Sequence, residues 1–84
     1  MKYEKACGCV IIKEGKVLLI KDNHGNWGVP KGHVEKNETE IETAVRETKE
    51  ETNIDVKIDE SKRYVVEYKV GEDIFKTVVY FIAE

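Results

Sequence analysis

Residues 32–54 read GHVEKNETEIETAVRETKEETNI, and the rest of the chain is best understood outward from this stretch. Its second part carries a helix signal. Thr39 can cap the first turn, and Glu42, three residues on, can bond back to the cap's own N–H, completing a capping box. Ile41, Ala44, Val45 and Thr48 recur at helical spacing and form a core-facing stripe. The helix is expected to stop near Thr52, because Asn53 tolerates the left-handed conformation that ends helices. On this helix Glu47, Glu50 and Glu51 stand at i, i+3 and i+4, within an arc of roughly 100°. Like charges this close cost an isolated helix on the order of a few tenths of a kcal/mol per pair. They also flank the apolar stripe, Glu51 lying about 20° from Ala44 on the wheel. A helix that needed only solubility would carry its acids on the far face, with lysines between them. A hard dication accounts for the crowding, since Mg²⁺ takes oxygen ligands and shares them between one or two carboxylates and substrate phosphates. Helix composition alone leaves open a solvated acidic face in a Glu-rich chain.

The spacing of the whole stretch is more specific. Gly32 is followed by five residues and Glu38, then by seven residues and Arg46-Glu47-Thr48-Lys49-Glu50-Glu51-Thr52-Asn53-Ile54. This resembles the Nudix box, the signature of the Nudix hydrolases. The resemblance implies that Glu47, Glu50 and Glu51 bind the metal, with the Gly32 carbonyl as a further ligand. It also implies that Glu38 and Arg46 pair to brace the loop against the helix, a role that suits a bidentate Arg–carboxylate contact. The implied catalytic set is Glu50, Glu51 and Arg46, with one of the two glutamates as base. Two positions depart from the family pattern. Thr48 stands where an aliphatic residue is usual and adds a hydroxyl that needs a partner. Asn53 stands where glycine is usual and is the next-best residue for a left-handed cap.

The flanks also fit. Residues 27–35, WGVPKGHVE, Thr48 within the box, and residues 76–84, KTVVYFIAE, are similar to the asymmetrical diadenosine tetraphosphate hydrolase branch. That resemblance runs from Ala6 to Glu84 and implies a nucleotide substrate, Tyr80 stacked on a base, and Lys31, His33 and Lys76 beside the phosphates. The residues themselves allow plainer readings: Tyr80 as a half-buried sheet aromatic and His33 as a solvated loop residue. Trp27 reads as a packing residue rather than a base-stacking one, and His24 as surface. The implied activity is Mg²⁺-dependent cleavage of a dinucleoside polyphosphate, with Mn²⁺ as the alternative ion. Hydrolysis of another nucleoside diphosphate derivative, such as a triphosphate or a capped RNA 5′ end, remains open, as does a non-catalytic nucleotide-binding or association module.

Outside the box the chain reads as one α+β domain. The 84 residues carry 37% charged residues and a net charge of −3, which gives no bulk attraction to nucleic acid or an anionic membrane. No segment has the length of a membrane span or the apolar stretch of a secretory signal, so a cytoplasmic location is expected. Cys7 and Cys9, two apart in a strand, read as small core residues of a reducing compartment. Ala6–Lys13 and Val17–Ile20 suggest a hairpin turned at Glu14-Gly15, and 22–26 a loop. A short extended piece is expected at 27–30, then strands at 54–58, 64–70 and 74–83, the last two joined by Gly71-Glu72-Asp73. The expected product is a Nudix-type mixed β-sheet with the box helix on one face, residues 1–84 forming a single, incomplete domain. Family members usually continue past the strand matching Val78–Ala83 to a helix that covers the sheet. The expectation is therefore a short form or a fragment lacking that helix, its bare sheet face covered by a second copy or another chain.

Overall fold

The computed structural model describes all 84 residues. The strands are β1 (Lys2–Lys13), β2 (Lys16–Val17), β3 (Ile20–Lys21), β4 (Trp27–Gly28), β5 (Lys31–His33), β6 (Ile58–Val70) and β7 (Ile74–Ala83), with one helix, α1 (Glu40–Thr52), between β5 and β6. β1 is the spine. β7 runs parallel to it from Lys2↔Ile74 to Ile11↔Ala83, and β6 adds antiparallel to β7. The other edge of β1 is divided, with β5 paired to residues 6–8 and β2 to residues 12–13, both antiparallel. The mixed sheet and single helix agree with the expected fold.

Alternation along β1 and β7 builds the core. Cys7, Cys9 and Ile11 of β1 share a face with Val79, Phe81 and Ala83 of β7, and this face meets Ala44 of α1. Leu18, Val34, Ile41, Val56 and Ile58 pack around it. Burying Phe81, 3% exposed, contributes about 1.5–3 kcal/mol. Both thiols are free and buried, and burial drives the Cys7 thiol up to about 11. The helix is specified locally as read. Thr39 accepts from the Glu42 N–H at 3.1 Å, Glu42 accepts from the Thr39 N–H at 2.8 Å, and Asn53 takes φ 62° with its N–H on the Lys49 carbonyl.

Three local expectations are corrected. The apolar run 17–20 is not one strand. The Cys9 N–H donates to the Pro30 carbonyl (3.1 Å), so the segment entering β5 takes that part of the β1 edge, and the chain leaves β1 after the Leu18 N–H reaches the Ile11 carbonyl (3.0 Å). β3 then pairs with β4 in a separate two-stranded sheet. Residues 54–57 form no strand, although Val56 and Ile58 keep their alternation by packing on the core; Lys57 meets only Glu84 through the backbone. β6 instead begins at Ile58 and passes a register break between Asp59 and Arg63, where Asp59 accepts from both the N–H and the hydroxyl of Ser61. Beyond Ile58 every residue of β6 is exposed, Tyr64, Val65 and Val66 among them. No helix is long and apolar enough to cross a membrane.

Candidate metal and nucleotide site

The site forms where β5 is pressed between β1 and α1. Glycine makes both contacts possible. A side chain at Gly8 would run into the Pro30 carbonyl and Lys31, and one at Gly32 would occupy the space of the Glu47 carboxylate. Glu47 therefore lies directly over the β5 backbone. One position along, the Lys31 N–H donates to Glu51 Oε1 at 2.9 Å. Burial raises the Glu51 carboxyl above its ordinary value; the Lys31 N–H opposes this, and the neighbouring Glu47 and Glu50 charges reinforce it.

Arg46 ties loop and helix together. Its Nε donates to Glu38 Oε2 at 2.6 Å and its Nη2 to Glu38 Oε1 at 3.0 Å, the fork–fork pairing expected for this brace. Nη2 also reaches the His33 carbonyl at 3.1 Å, while Nη1 reaches Glu47 at 3.1 Å and Glu50 at 3.2 Å. Glu38 accepts further bonds from the Glu35 N–H and the Thr43 hydroxyl, and with Arg46 foremost these hold its carboxyl near 2.

The acids fit a hard dication in chemistry: all offer oxygen, and two of the three, Glu47 and Glu51, sit against β5 beside the Gly32 peptide. As they stand, no three carboxylate, imidazole or thiol groups converge on one point, because Arg46 Nη1 lies between Glu47 and Glu50. Glu50, its side chain 57% exposed, is held by Arg46 Nη1 through both carboxylate oxygens at 3.2 Å.

Beside the acids lies a cleft of about 360 Å³, its lining including Glu51, Lys31, Tyr80, Trp27, Asp22 and Ile20. Sheet register explains how distant residues meet there. Gly8 pairs with Lys31 on one side and Tyr80 on the other, so both project on the face opposite α1 with no side chain between them. Burial raises the Tyr80 hydroxyl. His33 and Lys76 share that face but lie farther along β1, outside the cleft lining; His33 is exposed, 3.9 Å from Glu4, and Lys76 stands opposite Tyr68. Trp27 is corrected. It is 66% exposed, lines the cleft with Tyr80 and has the Lys21 ammonium 5.8 Å from its ring, so packing does not account for it. The β3–β4 pairing, which brings it to the cleft, is not visible from the residues around it. The 22–26 loop is closed by Asp22, whose Oδ1 accepts from the Asn26 and His24 N–H groups.

A mixed sheet whose glycine-bearing edge strand clasps an acid-rich helix is the architecture of a Nudix-type α+β domain. The chain belongs to the Nudix family: the family model described as NUDIX domain matches residues 2–84. Among curated relatives, the asymmetrical bis(5'-nucleosyl)-tetraphosphatase of Sus scrofa is 37% identical over 95% of this chain and 64% of its own length. Phosphatase NudJ of Escherichia coli is 43% identical over 55% of this chain and 32% of that protein. Among solved structures, a binary complex of a C. elegans Ap4A hydrolase aligns with a TM-score of 0.80 and 37% identity, covering 95% of this chain and 64% of that one. The E. coli ORF135 protein, at 22% identity and a TM-score of 0.82 over 98% of this chain and 61% of that one, shares the fold. The chain thus spans about 64% of the length of the first curated relatives it matches.

Proposed function

We propose that this chain is a divalent-metal-dependent pyrophosphohydrolase of dinucleoside polyphosphates such as diadenosine tetraphosphate. The observation that carries the reading is the shared cleft: Glu51 from the acid box, Lys31 and Tyr80 line one cavity. The similarity to proteins named as asymmetrical tetraphosphatases and Ap4A hydrolases supports the substrate class.

Nudix hydrolases generally use divalent metal ions. Glu47, Glu50, Glu51 and the Gly32 carbonyl would hold the ion, Mg²⁺ or Mn²⁺. When bound, such an ion neutralises phosphate oxygens and acidifies water. The chain's own residues supply the rest. Tyr80 and Trp27 offer flat faces to a base, and Lys31 places a point charge where phosphates would enter the cleft. Glu51 keeps Oε2 free while Oε1 is bonded to Lys31, so it can take the proton from an attacking water. The new P–O bond forms as the anhydride P–O bond breaks in line, giving AMP and ATP from diadenosine tetraphosphate. His33 and Lys76, outside the cleft lining but on the same sheet face, would meet the more distant part of a long substrate.

The test is chromatography of products after incubation with Mg²⁺ and a panel holding diadenosine tetraphosphate, nucleoside triphosphates, capped RNA and a nucleotide sugar. AMP and ATP from the first substrate, abolished by Glu50→Gln and Glu51→Gln, are expected. No turnover at saturating Mg²⁺ would overturn the activity, and preferential cleavage of another panel member would overturn the substrate class.

A further inference from the structure

Thr43 is completely buried, yet its hydroxyl donates to Glu38 Oε1 at 2.8 Å, with the Thr39 carbonyl at 3.1 Å as a second acceptor. It is outside the box positions Gly32, Glu38, Arg46, Glu47, Glu50 and Glu51. Glu38 is saturated by this contact. Oε1 receives Thr43, the Glu35 N–H (3.0 Å) and Arg46 Nη2 (3.0 Å), while Oε2 receives Arg46 Nε (2.6 Å). With both oxygens spoken for, the carboxylate plane is fixed, and a guanidinium bonded through two atoms must lie in register with it. The remaining donors of that guanidinium go to Glu47, Glu50 and the His33 carbonyl.

We propose that Thr43 is a positioning residue for cation binding: its buried hydroxyl orients Glu38, Glu38 orients Arg46, and Arg46 holds Glu47, which lies over Gly32, together with Glu50. This rests on the functional reading above, since it presumes that the box holds a divalent ion. No solvent reaches Thr43 to replace the hydroxyl, so the effect of losing it passes to Glu38. A purely structural role would run instead through the bond to the Thr39 carbonyl, which steadies the first turn of α1 and does not involve the acids.

Mn²⁺ titration followed by electron paramagnetic resonance, without nucleotide, separates these roles. Thr43→Val is nearly isosteric and removes the donor; Thr43→Ser keeps it. Thr43→Val is expected to weaken Mn²⁺ binding about three- to tenfold, less than the loss typical of groups that bond metal ligands directly. Thr43→Ser should stay within about twofold of the parent chain. In a Glu38→Gln background, Thr43→Val should add nothing, because the two changes break the same chain of contacts. The Arg46 Nε proton, followed by ¹⁵N NMR without any metal, should be sharp in the parent and Thr43→Ser and broadened in Thr43→Val. If Thr43→Val does not fold, Thr43→Ala carries the same comparison. Parent-like Mn²⁺ binding by Thr43→Val, equal weakening by Thr43→Ser, or the same loss in the Glu38→Gln background would each overturn the proposal. A parent chain that binds no Mn²⁺ but keeps a Thr43-dependent Arg46 signal would overturn the cation role and the functional reading together. Equal Mn²⁺ binding by parent and Thr43→Val would overturn the Thr43 role alone.

Discussion

Arg46 holds Glu38 through two bonds at once, Nε to Oε2 at 2.6 Å and Nη2 to Oε1 at 3.0 Å, and the same guanidinium reaches Glu47 at 3.1 Å. A lysine at this position would keep the charge and lose the fork. Arg46→Lys is expected to weaken Mn²⁺ binding about 10- to 100-fold, in the range for partners of metal ligands. Hydrolysis should fall with it. Binding within twofold of the parent chain would show that charge alone suffices at this position.

Thr48 is buried, and its hydroxyl meets no partner except the neighbouring Cys9 thiol, a weak one. Its neighbour is the Cys9 thiol, which burial raises and the nearby hydroxyl draws partly back, while Cys9 itself donates to the Ala44 carbonyl at 3.6 Å. Replacing the hydroxyl by a methyl keeps the β-branched shape and removes a desolvated polar atom, a gain of about 1 kcal/mol. For a chain this small, Thr48→Val should raise the melting temperature by about 4–8 °C. Scanning calorimetry that finds a fall would reveal a partner for the hydroxyl.

The box helix was legible because its determinants are local. Thr39, Glu42 and Asn53 specify its two ends through bonds spanning three or four residues, and the crowding of Glu47, Glu50 and Glu51 is a matter of helical pitch. The Glu38–Arg46 brace was legible through the resemblance alone, because nothing at a separation of eight residues across a loop announces a contact. What stayed hidden depends on partners far along the chain. The run 17–20 looked continuous because the Pro30 carbonyl, which takes the Cys9 N–H, cannot be placed from residues 17–20. Trp27 could not be told from a core residue until β3 and β4 brought it to the cleft. His33 and Lys76 share a sheet face with Lys31 and Tyr80, but the register of β1 sets them two and four residues along from Gly8.

Gly32 carries no side chain where the Glu47 carboxylate rests, and its neighbour Lys31 holds Glu51 through the backbone. Gly32→Ala would drive a methyl group into Glu47 and separate β5 from α1. The expected result is Mn²⁺ binding weakened by at least about tenfold, accompanied by roughly 1–3 kcal/mol of overpacking strain. Titration and urea unfolding measure the two effects separately. Unchanged cation affinity would mean that Glu47 is not a ligand.

Trp27 and Tyr80 line one cleft, the first on the β3–β4 hairpin and the second on β7. If both meet a base, removing either ring should cost about 1–3 kcal/mol of binding, read as a rise in KM with kcat little changed. Trp27→Ala and Tyr80→Ala assayed side by side on diadenosine tetraphosphate make the comparison. A fall in kcat at constant KM for Trp27→Ala would move that residue from binding to the reacting centre.

Glu40, at the first turn of α1, receives Arg63 at 2.8 and 2.9 Å and Lys5 at 2.6 Å, joining the helix to β6 and β1. These bonds, Arg63 foremost, lower its carboxyl from an ordinary 4.5 to about 2. The folded state therefore favours the ionised form, and the resulting stability is complete above pH 4.5 and lost as pH falls toward 2. Glu40→Gln removes this contribution and leaves the other carboxylates to titrate in both proteins alike. The melting-temperature difference between parent and variant should be constant from pH 7 down to about 5.5, then shrink steadily through pH 4 and 3. Thermal melts monitored by circular dichroism at these values provide the measurement. A difference that widens on acidification would reverse the sign of the coupling and remove Glu40 from the contacts that hold the helix to the sheet.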